Sequence, residues 1–314
     1  YYSGCEPRAA RIRYNMHSRL SDFYRIDRSK QIMSGLVFAC IAPHGSMVVP
    51  VLNEEGAEKA LATRAAMEEL GRRVAAARPE TIVLITPHGH RVDNAFSLLN
   101  NVRVVGELGF ERGGSGNGFS ITFEVDKELN AAIVSTAHSL DVPVRRIGYA
   151  VIDDPEFYQP LDWGASVPLW FLGSMMRPRP RVVIACPDRG YMPWEIYPHF
   201  GKAIRLAAES LNRRIVFVAS ADMGHAHDKH GPYGFDPASA EFDAATIEAI
   251  RAQDPGRLLI FDQPWLKRAA TDAYGQILNL SGMIEGTNFQ GELLSYEVPT
   301  YFGMMCVAYQ STSS

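Results

Sequence analysis

Residues 36–45 read Leu36-Val-Phe-Ala-Cys-Ile-Ala-Pro-His-Gly45, a short apolar run that ends in a histidine between proline and glycine. Residues 81–90 have the same character and read Thr81-Ile-Val-Leu-Ile-Thr-Pro-His-Gly-His90. Continuous apolar runs of this length are typical of strands buried on both faces of a parallel sheet. Between them, residues 58–77 have helical spacing of their apolar positions, and Pro79 follows. The order strand, helix, strand predicts a parallel α/β unit.

The pattern continues outward from this unit along the chain. Two more apolar runs, 181–185 and 215–219, predict further buried strands of the same sheet. Less regular strand structure is predicted at residues 96–108, 119–125, 142–152 and 292–309, and helices at residues 127–140, 167–176, 199–212, 238–252 and 265–284. We therefore expect a single α/β domain with a central, largely parallel sheet flanked by helices.

Composition excludes several classes of protein. Of the 314 residues, 46% are hydrophobic and 21% are charged, and the net charge is −4. This balance shows no cationic footprint for nucleic acid and favours a small-molecule substrate. No apolar run reaches about 18 residues, so we expect no transmembrane helix and no membrane partner.

The cysteines are scattered without a CxxC pair, which indicates buried thiols and a reducing, cytoplasmic setting: they are Cys5, Cys40, Cys186 and Cys306.

The first 32 residues differ from the rest of the chain. They are polar and rich in arginine, and they lack the apolar core of a secretory signal. Met33 precedes the first strong hydrophobic run. We therefore expect residues 1–32 to be a leader or a non-native N-terminal segment, and residues 33–314 to form the functional domain.

Polar side chains follow each of the four predicted buried strands: His44, His88 with His90, Asp188, and Asp222 with His225. In open α/β sheets, ligands bind outside the carboxyl ends of the strands, so these residues are expected to meet at one edge of the sheet. A single histidine in such a place is commonly a hydrogen-bonded structural residue. Two neutral imidazoles with a carboxylate form the facial triad of non-haem Fe(II) oxygenases, although imidazoles suit zinc as well. The sequence thus predicts a metal site at the C-terminal ends of the strands.

A histidine that is not a ligand can titrate near neutral pH and serve as an acid or base. We assign that role to His225. The run from Asp222 to His230 contains two more histidines, His227 and His230, which fit either a metal-binding loop or a solvated polar loop.

Four segments in this order resemble the class III extradiol ring-cleavage dioxygenases, the family of the protocatechuate 4,5-dioxygenase catalytic subunit: 42–45, 85–90, 162–169 and 219–225. The Memo-like branch of that superfamily is also similar. The resemblance extends from about residue 36 to residue 309. It implies an Fe(II) enzyme that cleaves a catechol-like or aminophenol-like aromatic ring with O2, and a homodimer.

The resemblance also implies roles for individual residues. His44 and His88 match the two histidine ligands of the iron, and His225 matches the acid/base histidine. Asp222 stands where Memo-like members also have aspartate, and we include it with His225 among the catalytic residues. The third ligand precedes a late helix, which makes Asp272 the matching carboxylate.

Other residues remain alternatives for the third ligand: Gln276, Glu285, Glu292 and Glu297. Asp272 could instead be an ordinary cap at a helix N-terminus. Two departures from the family pattern stand out. Aspartate replaces the glutamate of the dioxygenases, and Trp163 replaces the histidine that many relatives have between aspartate and glycine. These departures favour the rival hypothesis of a Memo-like metal-binding protein without ring cleavage, whereas the histidine cluster 225–230 favours a zinc-dependent hydrolase.

Overall fold

The computed structural model describes residues 35–110, 117–188, 190 and 192–312. The predicted leader at residues 1–32 lies outside them, so its boundary stays a prediction. The described residues form an α/β fold in which helices flank a large central sheet, as the sequence predicted. No helix in these ranges is both long and apolar enough to cross a lipid bilayer.

The elements follow one another along the chain with short connections. The strands are β1 Gly35–Ala42, β2 Thr81–Ile85, β3 Phe96–Leu99, β4 Arg103–Leu108, β5 Phe119–Glu124, β6 Val144–Ile147, β7 Tyr158–Pro160, β8 Arg181–Cys186, β9 Arg214–Ser220, β10 Phe289–Glu297 and β11 Met304–Ser311. The helices are α1 Leu61–Ala77, α2 Lys127–Ser139, α3 Trp163–Leu172, α4 Ile196–Ser210, α5 Pro237–Arg251, α6 Gln263–Ala269 and α7 Tyr274–Ile284.

The central sheet has the strand order β10-β11-β1-β9-β2-β8-β3-β6. The middle of the sheet is parallel. β9 pairs in parallel with both β1 and β2, and β2 pairs in parallel with β8. The pairs β10–β11, β11–β1 and β8–β3 are antiparallel. Ala42 pairs with Ser220, and Ile85 pairs with both Ala219 and Ala185. The four central strands therefore end level, and the residues that follow them emerge at one edge of the sheet.

Both faces of the sheet are buried, which explains why its strands are apolar without alternation. Ala39 and Ile41 of β1 pack in a cluster with α4 and α7, whereas Phe38 and Cys40 pack in a second cluster with α1 and α3. The free thiols of Cys40 and Cys186 are buried, as predicted.

The structure divides residues 96–108 into β3, in the central sheet, and β4, in a small sheet of order β5-β4-β7. Asn101 lies between the two strands. Its side chain donates to the carbonyl of Tyr149 (2.7 Å) and accepts from the Tyr149 N–H (2.8 Å). These bonds tie the turn after β3 to the chain that follows β6. Strand β6 ends at Ile147, before this contact, and not near residue 152 as predicted.

The predicted helix over residues 265–284 is likewise two helices. The chain leaves α6 through Ala270, whose φ of 48° lies in the left-handed region, and α7 begins at Tyr274. Helix α7 lies very close to α4, since a Cβ at Gly282 would sit 1.8 Å from the Pro198 carbonyl oxygen. Helix α7, which follows the break that contains Asp272, is thereby packed closely against α4.

Candidate metal centre

Residues from four separate loops meet at the level ends of the central strands. His44 follows β1, His88 follows β2, Asp222 follows β9, and Asp272 lies in the break between α6 and α7. Asp188, which follows β8, lies beside these residues, but its carboxylate oxygens form hydrogen bonds with other groups. Its carboxylate accepts from the Tyr197 hydroxyl (2.9 Å) and the Met192 N–H (2.9 Å).

The structure brings three potential ligand atoms together. His44 Nε2 lies 3.2 Å from His88 Nε2 and 3.2 Å from Asp272 Oδ2, and His88 Nε2 lies 3.5 Å from Asp272 Oδ2. Bonds of about 2.0–2.2 Å from one metal ion to each atom would place neighbouring ligand atoms at roughly such separations. In the described ranges, no other group of three His, Cys, Asp or Glu residues is arranged to hold a metal ion.

The hydrogen bonds behind His44 determine which of its nitrogens faces the centre. The Ser220 hydroxyl donates to the Gly164 carbonyl oxygen, and His44 Nδ1 lies 3.0 Å from Ser220 Oγ. A hydroxyl has one proton, so Ser220 Oγ must accept from Nδ1–H of His44. Neutral His44 therefore presents a bare Nε2 to His88 and Asp272, which is the tautomer of a metal ligand.

The electrostatics of the group suit a cation. Burial opposes the charged form of His44, but Asp222 and Asp272 outweigh it and raise the pKa of His44 to about 9. Burial and the neighbouring His44 lower the pKa of His88. Burial raises the pKa of Asp222, whereas for Asp272 the attraction of His44 overcomes burial and lowers the pKa. These shifts favour the protonated form of His44, and a divalent ion bound at Nε2 would replace that proton.

Asp222 connects two of the three potential ligands. Its Oδ1 accepts from the backbone N–H of His44 (3.0 Å), and its own N–H donates to Asp272 Oδ1 (3.0 Å). Asp272 does not cap α7, because the N-cap position is Ala273 and no side chain caps it. The second carboxylate oxygen of Asp222, Oδ2, lies 3.3 Å from His44 Nε2. The bond from the Asp222 N–H leaves Oδ2 of Asp272 facing the histidines.

A cavity of 430 Å³ opens onto the three residues, and His225 forms part of its wall. His225 Nδ1 lies 2.9 Å from the Met223 carbonyl oxygen, so Nδ1–H donates there and Nε2 is left for other partners. The imidazole stacks on Phe302 (5.3 Å between ring centroids) and meets the edge of Tyr233 (5.5 Å). These contacts fix the orientation of the His225 imidazole, which lies partly exposed beside the potential ligands.

Trp163 lies in the same wall, at the position where the family pattern has histidine. Its ring is tilted over His88, with 4.2 Å between centroids, and 48% of the residue is exposed. Asp162 caps α3 by accepting from the Ala165 N–H (3.1 Å) and also accepts from the Thr86 hydroxyl (2.8 Å). Helix α3 therefore spans Trp163–Leu172, four residues earlier than the helix predicted at residues 167–176.

The alternative third ligands lie in other contacts. Glu285 pairs with Lys202, Glu292 pairs with Arg73, and Glu297 accepts from Thr63. Gln276 is buried, and it lines a second cavity of 320 Å³ that also includes His88 and Asp272.

The histidines of the run after Asp222 do not gather at one point. His227 Nε2 lies 2.9 Å from Asp243 Oδ2, and His230 is exposed. The Asp243 carboxylate also accepts from the Tyr296 hydroxyl (2.7 Å) and the Gly224 N–H (2.8 Å), so it holds the loop that carries His225. His90 faces Gln159, with 3.3 Å between His90 Nδ1 and Gln159 Nε2.

Three residues have roles at the site that the sequence did not predict: Ser220 and Gly164, which set the His44 tautomer, and Asp243. Ser220 had one available signal, since it is a hydroxyl residue at the end of a buried strand. The role of Gly164 depends on a backbone carbonyl and leaves no trace in the residue type.

Residues 38–306 match the model of a protein family described as the catalytic LigB subunit of aromatic ring-opening dioxygenase. The chain is also similar to Protein CA_C1420 of Clostridium acetobutylicum, with 27% identity over 257 residues. This match covers 82% of the chain and 54% of that protein, so the chain spans about half the length of its curated relative.

Among solved structures, the chain is similar to the uncharacterized protein JW3007 of Escherichia coli K12. The TM-score is 0.53 at 14% sequence identity, and the match covers 87% of this chain and 99% of the other. At this level of identity the likeness shows a shared fold.

Proposed function

Because the chain belongs to the family of the catalytic LigB subunit of aromatic ring-opening dioxygenases, we propose that it is a non-haem Fe(II)-dependent extradiol-type dioxygenase. Its substrate would be a catechol-like or aminophenol-like ring, cleaved with O2. The observation that carries this proposal is the convergence of His44 Nε2, His88 Nε2 and an Asp272 oxygen within 3.2–3.5 Å of one another beside a 430 Å³ cavity. A homodimer in the cytoplasm is part of the same proposal.

In this proposal His44, His88 and Asp272 hold the metal. The donor set fits Fe(II), since two neutral imidazoles and one carboxylate leave further positions open. When bound, the ion supplies a Lewis-acidic, redox-active centre that brings an aromatic diol and dioxygen within reach of each other. Zinc is the alternative occupant, because imidazole ligands suit it as well.

The other residues bind and orient the substrate and handle protons. The Nδ1–H of His225 is committed to the Met223 carbonyl, so Nε2 is the atom that would accept a proton from a ring hydroxyl and return it during ring opening. Phe302 and Tyr233 hold the imidazole in place. Trp163 covers His88 and limits the water that reaches the ligands. Asp222 keeps His44 and Asp272 aligned.

The first test combines metal analysis after anaerobic purification with oxygen uptake on catechol and 2-aminophenol. We expect near-stoichiometric iron, oxygen consumption and a yellow ring-cleavage product. His44→Ala, His88→Ala and Asp272→Ala should each lose the metal. His225→Gln should keep it while turnover falls by about 100- to 10,000-fold. His230→Ala is the matched control, because His230 is exposed.

Metal retained after loss of both His44 and His88 would overturn the ligand assignment. Iron bound without oxygen uptake on any ring would overturn the activity and favour the rival, a Memo-like metal-binding protein. Trp163 is the observation that favours this rival, since an indole over His88 stands where relatives have a titratable ring. The zinc-hydrolase hypothesis rested on clustered histidines at 225–230. It gains no support here, because His227 pairs with Asp243.

A further inference from the structure

A cavity of 510 Å³ lies at the opposite end of β8 from the candidate metal centre. Arg181 begins β8 and lines this cavity, whereas Cys186 ends the strand on the side of the metal centre. A strand of this length spans roughly 17 Å. The opposite wall is formed by β4 and β5 of the small sheet. Four of the lining residues are arginines: Arg103, Arg177, Arg179 and Arg181. We refer to this feature as the arginine cavity.

Three of the arginines come from the segment Arg177-Pro-Arg-Pro-Arg181. Each proline fixes its own φ, so the backbone that carries the arginines is restricted before any ligand arrives. Arg179 is held most firmly. Its guanidinium donates to the carbonyl oxygens of Thr122 (2.7 Å) and Ser174 (2.8 Å) and lies 5.4 Å from the centre of the Phe123 ring. Arg177 likewise donates to a carbonyl oxygen, that of Met176 (2.6 Å).

These partners orient the guanidinium groups without neutralising them. In the part of the chain that the structure describes, none of the four forms an ion pair, and the Arg103 and Arg181 guanidinium groups make no hydrogen bond. Glu124, opposite Arg103 in the β4–β5 register, is the one acidic residue among the described lining residues. Four positive groups thus face one cavity with a single carboxylate, in a chain whose net charge is −4. An anion is the partner that this arrangement lacks.

We propose that the arginine cavity binds a small phosphate-bearing molecule with at least two negative charges. The planar guanidinium fork matches phosphoryl oxygens with paired hydrogen bonds. Arg103 and Arg181 supply the free forks, and Arg179 supplies a charge held in place by its carbonyl partners. A singly charged carboxylate would leave most of the positive charge unbalanced. The volume lies within the range of small-molecule sites. The site is separate from the candidate metal centre, so the proposal does not depend on the activity proposed above.

The test is titration calorimetry of the full chain with pyrophosphate in a phosphate-free buffer of low ionic strength. We expect saturable binding at one site, weaker binding of inorganic phosphate, and weaker still of acetate. Arg103→Ala and Arg181→Ala should each weaken the pyrophosphate affinity by about tenfold, since each removes a charge-assisted contact. Arg146→Ala is the matched control, because Arg146 is an exposed arginine on β6. The pyrophosphate affinity of this variant should stay within about twofold of that of the unchanged protein. Glu124→Gln should bind pyrophosphate more tightly, since it removes the opposing charge.

Unchanged pyrophosphate binding in the Arg103 and Arg181 variants would overturn the proposal, as would acetate binding as tightly as pyrophosphate. If either arginine variant fails to fold, Glu124→Gln decides the matter, because unaltered affinity in that variant contradicts the proposal. The source of the phosphoryl group is tested with vesicles of phosphatidic acid in phosphatidylcholine. Cosedimentation with these vesicles, without binding of soluble pyrophosphate, would also contradict it.

Discussion

At the scale of single residues, the chain from His44 through Ser220 to the Gly164 carbonyl is the feature that most directly prepares the centre for a metal. It fixes the imidazole in one tautomer and one orientation before an ion arrives. Outer partners of this kind commonly change metal affinity by about 10- to 100-fold when removed. Much of the affinity of the centre should therefore depend on a residue that never touches the metal.

Ser220→Ala tests this directly. We expect the Kd for Fe(II), or for Zn(II) as a redox-stable probe, to rise by about 10- to 100-fold. The fold should persist, with a loss of about 1–3 kcal/mol for the unpaired Gly164 carbonyl. Competition with a chromophoric chelator measures the affinity. Ser281→Ala is the control, because the Ser281 hydroxyl donates to Leu278 within α7. Equal metal affinity in both variants would show that metal binding does not depend on the hydrogen bond from His44 to Ser220.

The buried thiols give a residue-level prediction about pH. Burial raises the pKa of Cys186 and Cys306 to about 12 and raises that of Cys40 as well. A raised pKa means that the thiolate forms only at higher pH, so at pH 8.5, where an ordinary thiol is about half ionised, these three stay protonated. We expect no alkylation of these cysteines by iodoacetamide at pH 8.5 in the native protein, and complete alkylation in urea, read by peptide mass spectrometry. Rapid native labelling of Cys186 would contradict their burial.

At the scale of elements, the sequence predicts the central strands well and the divisions between elements poorly. Residues 36–41 and 81–85 are strands because they are apolar on both faces, and that property is visible in the residue types. The break after β3 depends on Asn101 bonding to Tyr149, a partner far along the chain. The break between α6 and α7 similarly depends on the left-handed turn at Ala270. Neither the long-range bonds of Asn101 nor a left-handed conformation at an alanine has a signature in the local sequence.

The same distinction applies to the candidate site. His44 and His88 were predictable because each follows a buried strand, and level parallel strands bring such residues to one edge. Asp272 was identified only through a family resemblance, since it lies between two helices that the sequence presented as one. The contact of Trp163 with His88 depends on where α3 lies against the sheet, which no pattern in residues 162–169 specifies.

The close approach of α4 and α7 leads to a prediction at this scale. Gly282→Ala would ordinarily stabilise a helix by up to about 1 kcal/mol. Here the new Cβ would meet the Pro198 carbonyl oxygen at 1.8 Å, so we expect a loss of about 1–3 kcal/mol or more in urea unfolding. Displacement of α7 should also weaken metal binding at Asp272. In the control Gly256→Ala, the Cβ meets nothing nearer than 3.4 Å. Equal stability of the two variants would mean that the helices can move apart freely.

At the scale of the whole molecule, the candidate centre joins three distant parts of the chain, so a bound metal should stabilise all of them together. At a free metal concentration of 100 times the Kd, the gain is about 2.7 kcal/mol. For a domain of this size, that corresponds to a rise in melting temperature of about 5–10 °C. We expect this rise with anaerobic Fe(II) in the unchanged protein and in His230→Ala, and its absence in His88→Ala and Asp272→Ala. An equal rise in melting temperature in all four proteins would show that the metal binds at another site.

The position of β1 in the sheet has a consequence for how the protein is made. β1 occupies residues 35–42, yet both of its neighbours come much later, β9 at residues 214–220 and β11 at residues 304–311. During translation, the strand that leads to His44 therefore leaves the ribosome long before it can pair. Closing such long loops is slow, and an unpaired apolar strand is prone to aggregation or chaperone capture in the interval. A nascent chain that stops before residue 304 would carry all three candidate ligands and still lack the strand that covers one edge of β1. Assembly of the centre should thus be among the last events of synthesis.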